Sequence, residues 1–304
     1  MLMSLLAGCT SSRALERHEY AELLMGVEVR IVVYAADEAT ARQAVKAAYE
    51  RVAQLENSMS DYLNGSELMR LCAQAGQRPV KVSDDLFRVL AYAQKISQAS
   101  DGAFDVTIGP LVQLWRQSRK TRTLPSPAAL AAARSRVGWR LMKLDEAKQT
   151  VELTAAGMRI DLGGIAKGYA GDQVIRLLHQ YGISRALFEA GGDIVVSDPP
   201  PGKKGWTVRT INPDGGDARV IEICDEAIST SGDTVQFVEI DGVRYSHVVD
   251  PRTGLGLTNQ AMATVIASRG ITSDSLSTAA SLLGPRDGQA LVKRFGATAF
   301  IRNR

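Results

Sequence analysis

Between Met158 and Asp172 the apolar spacing of this chain changes period at a glycine pair, and that change constrains the fold more than any other stretch. Met158, Ile160 and Leu162 alternate with Arg159 and Asp161 in the two-residue period of a strand, whereas past Ile165 the apolar residues recur at helical spacing. The stretch predicts a strand that passes through Gly163-Gly164 into a helix start. Glycine lets a ligand approach the main chain and a helix N-terminus carries partial positive charge, so such a junction can cradle a phosphate. An ordinary tight strand-to-helix turn has the same pattern, and the stretch alone leaves both readings open.

The flanking chain supplies the rest of the fold. Thr10 to Leu24 is polar and mixed and reads as a tether. Met25 to Tyr34 alternates as a strand, and Ala39 to Met59 has helical spacing behind the acidic pair Asp37-Glu38. Ser58 to Leu68 reads as a loop turning at Asn64-Gly65, and Ser83 caps a helix running from Asp84 to about Ser100. The segment from Ala103 to Pro110 leads into a helix reaching Trp115. Arg116 to Pro127, basic and proline-interrupted, reads as an exposed loop, and Ala128 to Val137 is helical by propensity. Short strands are expected at 140–144 and 150–154, a strand broken by Gly191-Gly192 at 186–194, and paired strands at 206–211 and 218–223 around Asn212 to Gly216. Strands and helices interleave without a regular βαβ rhythm, which predicts an α+β body.

With 45% hydrophobic and 23% charged residues among 304, the chain has the apolar content for a sizeable core. Its net charge of +3 comes from dispersed residues, so nothing argues for nucleic acid, whereas an anionic small molecule is compatible. There are three cysteines without a CxxC pair and three histidines, His18, His179 and His247, so a divalent ion must rely mainly on oxygen ligands. Asp274, Ser277 and Thr278 share a helix face at the spacing that could grip a hard cation. The same residues also fit a capped helix, with Asp274 in the first turn and the hydroxyls bonded back to the preceding turn. His247, beside Asp250 and Arg252 at a strand-to-turn boundary, suits either a structural hydrogen bond or catalysis.

The start of the chain ends an apolar run in Leu6-Ala7-Gly8-Cys9, which resembles a bacterial lipobox with Cys9 as the lipidated residue. A lipobox implies a body held outside the cytoplasm, where Cys72 and Cys224 could pair.

The ordered set Ser60-Asp61-Tyr62, Ser66-Glu67-Leu68, Gly102 to Thr107, Asp161 to Tyr169, Ala190 to Asp193, Ser229 to Asp233, Ser246 to Gly254 and Asp274 to Ala279 resembles the ApbE family of FAD:protein FMN transferases. The resemblance implies a single α+β body over residues 25–304, built of two intimately joined T-fold-like lobes with FAD between them, behind a signal remnant at 1–9 and a tether at 10–24. It implies FAD contacts at Met25, Tyr62, Ala103, Phe104, Asp105, Gly163, Tyr169, His247 and Val249, and the charge of the pyrophosphate adds Lys167 as a donor to it. It implies Mg²⁺ held by the Ala166 carbonyl, Asp274 and Thr278, with Ser277 in reach; the charges of the reaction add His247, assisted by Asp250, as the catalytic group that positions the phosphate or takes up the acceptor proton. The reaction implied is transfer of FMN from FAD to a Thr or Ser hydroxyl of an acceptor, a subunit of a membrane redox complex such as sodium-translocating NADH:quinone oxidoreductase or an Rnf-type complex, by a lipid-anchored protein facing the periplasm. A Mg²⁺-dependent FAD pyrophosphatase and a non-catalytic FAD-binding lipoprotein are the competing readings. One departure stands out: Leu255-Gly256-Leu257 replaces a proline usual in the family after Gly254, which predicts a more mobile loop.

Overall fold

The computed structural model describes residues 14–210, 219–232, 237–259 and 261–302; Cys9 and the turn expected at 212–216 lie outside them. β1 (Glu16–Leu24) and β2 (Val27–Ala35) pair as a hairpin whose turn residues, Met25 and Gly26, have φ of +53° and +73°. Positive φ at both central residues gives the tight turn the twist of its flanking strands. Residues 16–24 are therefore a sheet strand and not part of a tether. Their polar composition belongs to an edge strand, whose outer side faces solvent.

α1 (Glu38–Met59) starts at Asp37, which accepts the Thr40 N–H at 2.8 Å. α2 (Glu67–Cys72), β3 (Val80–Lys81), α3 (Asp84–Ala99), α4 (Gly109–Thr121), α5 (Pro127–Arg134), β4 (Met142–Asp145) and β5 (Thr150–Leu153) follow. α4 runs past Trp115 to Thr121, over the first half of the stretch expected to be a loop. Its basic Arg119 and Lys120 fall in the last turn, where cations complement the helix dipole, and Arg122 closes it in the left-handed region. Met158, Ile160 and Leu162 are buried as their alternation predicts, but the segment joins no sheet. It forms a single bridge, Arg159 to Ile108, and the Asp161 N–H donates to Val106 O at 2.8 Å.

α6 (Ala166–Gln180) leads to β6 (Ala186–Ala190), β7 (Asp193–Val196), β8 (Trp206–Thr210), β9 (Arg219–Ile223), β10 (Ala227–Gly232), β11 (Phe237–Ile240), β12 (Val243–Ser246), β13 (Met262–Ala267), α7 (Gly270–Arg294) and β14 (Thr298–Arg302). Seven strands form one antiparallel sheet in the order β1-β2-β6-β7-β10-β13-β14. Its inner face, with Val29, Ile31, Val33, Phe188 and Val265, shares one core with α1, α6 and α7. The β8–β9 hairpin covers the other face through Trp206, Val208 and Ile223 on Val32, Leu187 and Ile228. Covering both faces explains why the alternation of Val27 to Arg30 gives way to the apolar run Ile31 to Ala35 in β2. Trp115 and Leu111 of α4 pack with Tyr245 and Ile240 of the β11–β12 hairpin in a smaller core, giving the α+β body its second centre.

Cys72 is buried and Cys224 exposed, and both thiols are free, so the pairing considered for them does not form.

Candidate active site

The Gly163-Gly164 turn is fixed from both sides. Asp161 Oδ1 accepts the Gly163 N–H at 2.8 Å, and its Oδ2 accepts from Arg116 of α4 at 3.0 Å. The Leu162 carbonyl accepts the N–H groups of Ile165 and Ala166 at 3.1 and 2.9 Å and turns the chain into α6. Gly164 faces α7 closely enough that a Cβ there would lie 2.8 Å from Thr278 Oγ1. Only glycine lets the turn reach that hydroxyl.

From this contact α6 and α7 run across one another and exchange caps. Asp274 of α7 accepts the Gly168 N–H of the first turn of α6 at 3.0 Å. Asp172 of α6 accepts the Gly270 and Ile271 N–H groups at the start of α7 at 2.6 and 3.1 Å. Each carboxylate satisfies first-turn donors that no residue of their own helix accepts from. α7 begins at Gly270, so Asp274 lies in its second turn and caps the neighbouring helix, unlike the first-turn placement expected. Ser277 Oγ donates to the Asp274 carbonyl at 2.9 Å, the back-bonding weighed from sequence, and is buried.

The charges here do not balance. Lys167 donates to Asp193 Oδ2 at 2.8 Å and to the Gly163 carbonyl at 3.2 Å. Against the burial that opposes it, the carboxylates of Asp193 and Asp274 hold the lysine above its usual range. Asp274, 3% exposed, is pushed up to about 7 by burial and by Asp193. Two buried carboxylates thus share one ammonium group, and the pocket favours one more cation. The donors it offers, the Asp274 carboxylate and the Thr278 hydroxyl at the Gly164 cradle, are hard oxygens that suit Mg²⁺. Among the described residues no group of three or more His, Cys, Asp or Glu side chains gathers for a metal.

A second strand-to-turn unit stands beside α4. Ser246 O accepts the Trp115 indole N–H at 3.0 Å, and the Ser246 N–H donates to Leu257 O at 2.7 Å. Exposed His247 follows directly, and Val249 is buried and bridged to Gly256. The loop expected to be mobile is tied: Leu257 N–H reaches Val248 O at 3.0 Å, and a Cβ on Gly256 would meet Ser246 O at 2.1 Å and Trp115 at 2.7 Å. Asp250 spends its carboxylate on Arg252, at 2.8 Å to the backbone N–H and 2.9 and 2.8 Å to the guanidinium. Arg252 extends to Leu282 O of α7 at 3.2 Å.

Residues 25–301 match the ApbE family. The chain belongs to that family. A protein of Klebsiella pneumoniae named FAD:protein FMN transferase is 33% identical, over 91% of this chain and 81% of its own. One of the same name from Treponema pallidum is 32% identical, over 97% and 87%. The solved apo structure of the flavinyl transferase ApbE of Pseudomonas stutzeri superimposes with a TM-score of 0.85 at 29% identity, covering 96% of this chain and 92% of that one. The flavin transferase ApbE of Vibrio cholerae gives 0.85 at 28%, over 94% and 93%.

The ApbE-type positions do not all point one way. Met25 sits at a hairpin tip whose neighbour Val27 touches the Gly191-Gly192 turn before Asp193. Tyr62 is 73% exposed, with the Arg116 guanidinium 4.2 Å from its ring centroid. Phe104 is core, and Asp105 is buried, accepting from Thr107 and the Trp139 N–H at 2.7–2.8 Å, with burial raising its pKa. These side chains brace the loop around Ala103. Tyr169 is buried on the far side of α6 from Lys167, its hydroxyl donating to Asp85 at 2.7 Å. Sequence reasoning missed Arg116, Asp172 and Asp193 as working groups. The acidic end of the AGGD motif signalled Asp193; a continuous helical face from Leu111 to Arg119 would have found Arg116.

Proposed function

We propose that this chain transfers the FMN half of FAD to a Ser or Thr hydroxyl of an acceptor protein and releases AMP, in a Mg²⁺-dependent reaction. The observation that carries the reading is the cation-deficient pair Asp193 and Asp274 at the start of α6, next to a glycine turn, in a chain of the ApbE family. The acceptor oxygen attacks the riboflavin-side phosphorus, the P–O bond to AMP breaks, and AMP leaves with the bridging oxygen. Mg²⁺, held by Asp274, Thr278 and the Ala166 carbonyl, would offset the charge of the pyrophosphate and of the departing oxygen.

The Gly163-Gly164 turn and the N-terminus of α6 favour the anionic phosphates. Lys167, held by Asp193, keeps a positive charge at the turn. His247 takes the acceptor proton from the open side of the Ser246 turn. Asp250 acts one step back, fixing that turn through Arg252. The acceptor belongs to a membrane redox complex, and the lipobox at Cys9 supports a lipid-anchored body on the periplasmic side.

The test is incubation with FAD, Mg²⁺ and a protein bearing a candidate acceptor threonine, followed by a denaturing gel. A fluorescent flavin band dependent on Mg²⁺ and absent in Asp274→Ala supports the reading. Free FMN and AMP without a band would replace it with a pyrophosphatase.

A further inference from the structure

Arg116 is the meeting point of three elements that the chain brings together from far apart. Its guanidinium donates to Asp61 Oδ2 on the loop after α1 and, at 3.0 Å, to Asp161 Oδ2 ahead of the glycine turn. Its Cζ also lies over the Tyr62 ring, 4.2 Å from the ring centroid. The Arg116 side chain is 29% exposed and Tyr62 73% exposed, so the ring rests one face on the guanidinium and leaves the other free. Both residues line a cavity of about 930 Å³ that also reaches Arg119 and the β11–β12 hairpin at Phe237. Asp161 in turn holds the Gly163 N–H at 2.8 Å.

We propose that Arg116 is a positioning residue for the flavin: it backs the Tyr62 ring as a stacking platform and, through Asp161, holds the glycine turn at a set distance from that platform. The inference rests on the flavin-transfer reading above. A dinucleotide touches the protein with an aromatic ring system and with phosphates, and one planar side chain here braces a surface for each. An exposed tyrosine swings on its χ angles, and a guanidinium stacked beneath it removes that freedom. Lysine cannot substitute, because an ammonium is a point charge with no planar face and no fork to span two carboxylates. Without any cation, Asp61 and Asp161 face each other unpaired and push the loop and the turn apart.

The experiment uses the full chain with Arg116→Lys, Arg116→Ala and Asp61→Asn. FMN is titrated into each while flavin fluorescence is followed, and KM for FAD and kcat are measured with an acceptor. Wild type quenches FMN on binding, as a stacked flavin does. Arg116→Lys and Arg116→Ala are expected to quench less and to raise KM for FAD about tenfold with kcat within about twofold, equivalent to about 1.4 kcal/mol of binding. Asp61→Asn, which leaves the Arg116–Asp161 pair and the core intact, moves both readouts the same way by a smaller amount. Wild-type KM and quenching in Arg116→Lys would overturn the inference while leaving the transferase reading in place. Altered stability in Arg116→Ala with normal quenching in Asp61→Asn would overturn it too, since that is a purely structural effect. A wild type that transfers no flavin from FAD to the acceptor would remove the flavin-transfer reading and this inference with it, whereas transfer without any quenching of FMN would overturn this inference alone.

Discussion

Gly168 and Gly270 touch backbone to backbone where α6 crosses α7: a Cβ on Gly168 would lie 2.1 Å from the Gly270 carbonyl oxygen, and one on Gly270 would lie 2.2 Å from that of Gly168. Gly168→Ala should gain about 1 kcal/mol of helix propensity and lose about 3 kcal/mol to overpacking, because backbone cannot move aside as a side chain can. The helices must separate, taking Asp274 off the Gly168 N–H. Urea unfolding is expected to show a net loss of about 2 kcal/mol; a variant as stable as wild type would mean the crossing is looser than described.

Lys167 and Asp193 form a partly buried pair, so removing one partner costs more than removing both. Lys167→Met is expected to destabilise by about 3 kcal/mol, leaving Asp193 and Asp274 without their ammonium group. Lys167→Met combined with Asp193→Asn should recover part of that loss. Denaturant unfolding of the two singles and the double gives the coupling, and simple additivity would show that the pair contributes nothing.

The pH dependence has an unusual sign. Asp274 binds its proton more tightly in the folded protein, at about 7, than at the ordinary 3.8. Its contribution is thus a destabilisation that is absent below about 4, grows as pH rises and is complete above about 7. Without metal, the melting temperature should fall between pH 6 and pH 8, and Mg²⁺ should raise it more at pH 8 than at pH 6. Asp274→Asn, which keeps an oxygen for Gly168, should flatten the pH slope and abolish the Mg²⁺ increment. A Mg²⁺ effect that survives in Asp274→Asn would place the ion elsewhere.

Trp115→Phe removes the donor that satisfies the Ser246 carbonyl beside His247. An unsatisfied buried carbonyl costs about 1–3 kcal/mol. Because the turn loosens while the phosphate side is untouched, kcat should fall with KM for FAD little changed. Steady-state kinetics decide it, and a KM effect alone would assign Trp115 to FAD binding.

Much of this was legible in the residues. The period change at Gly163-Gly164, the Ser83 cap and the spacing of Asp274 and Thr278 are local signals, and the structure keeps each as a turn, a cap or a shared helix face. What escaped depends on partners distant in sequence. Residues 16–24 look like a tether because an edge strand shows solvent much of its surface, and Arg116 looks like a loop residue because its two carboxylates sit 55 and 45 positions away. Asp172 reads as a surface helix residue until α7 arrives to be capped by it. The motif resemblance located the glycine turn and the α7 carboxylate, but it could not show that Tyr169 points to Asp85 or that Asp250 is committed to Arg252.

The exchange of carboxylates between Asp172 and Asp274 has a consequence for motion. Each helix start is stapled to the other helix, so neither first turn can fray alone, and opening one removes the acceptor from the other. The amide protons of Gly168, Gly270 and Ile271 should therefore exchange with solvent only when the whole body unfolds. The chemistry then sits on a part of the chain that opens only with the whole body, so FAD and the acceptor must be admitted without any parting of α6 from α7.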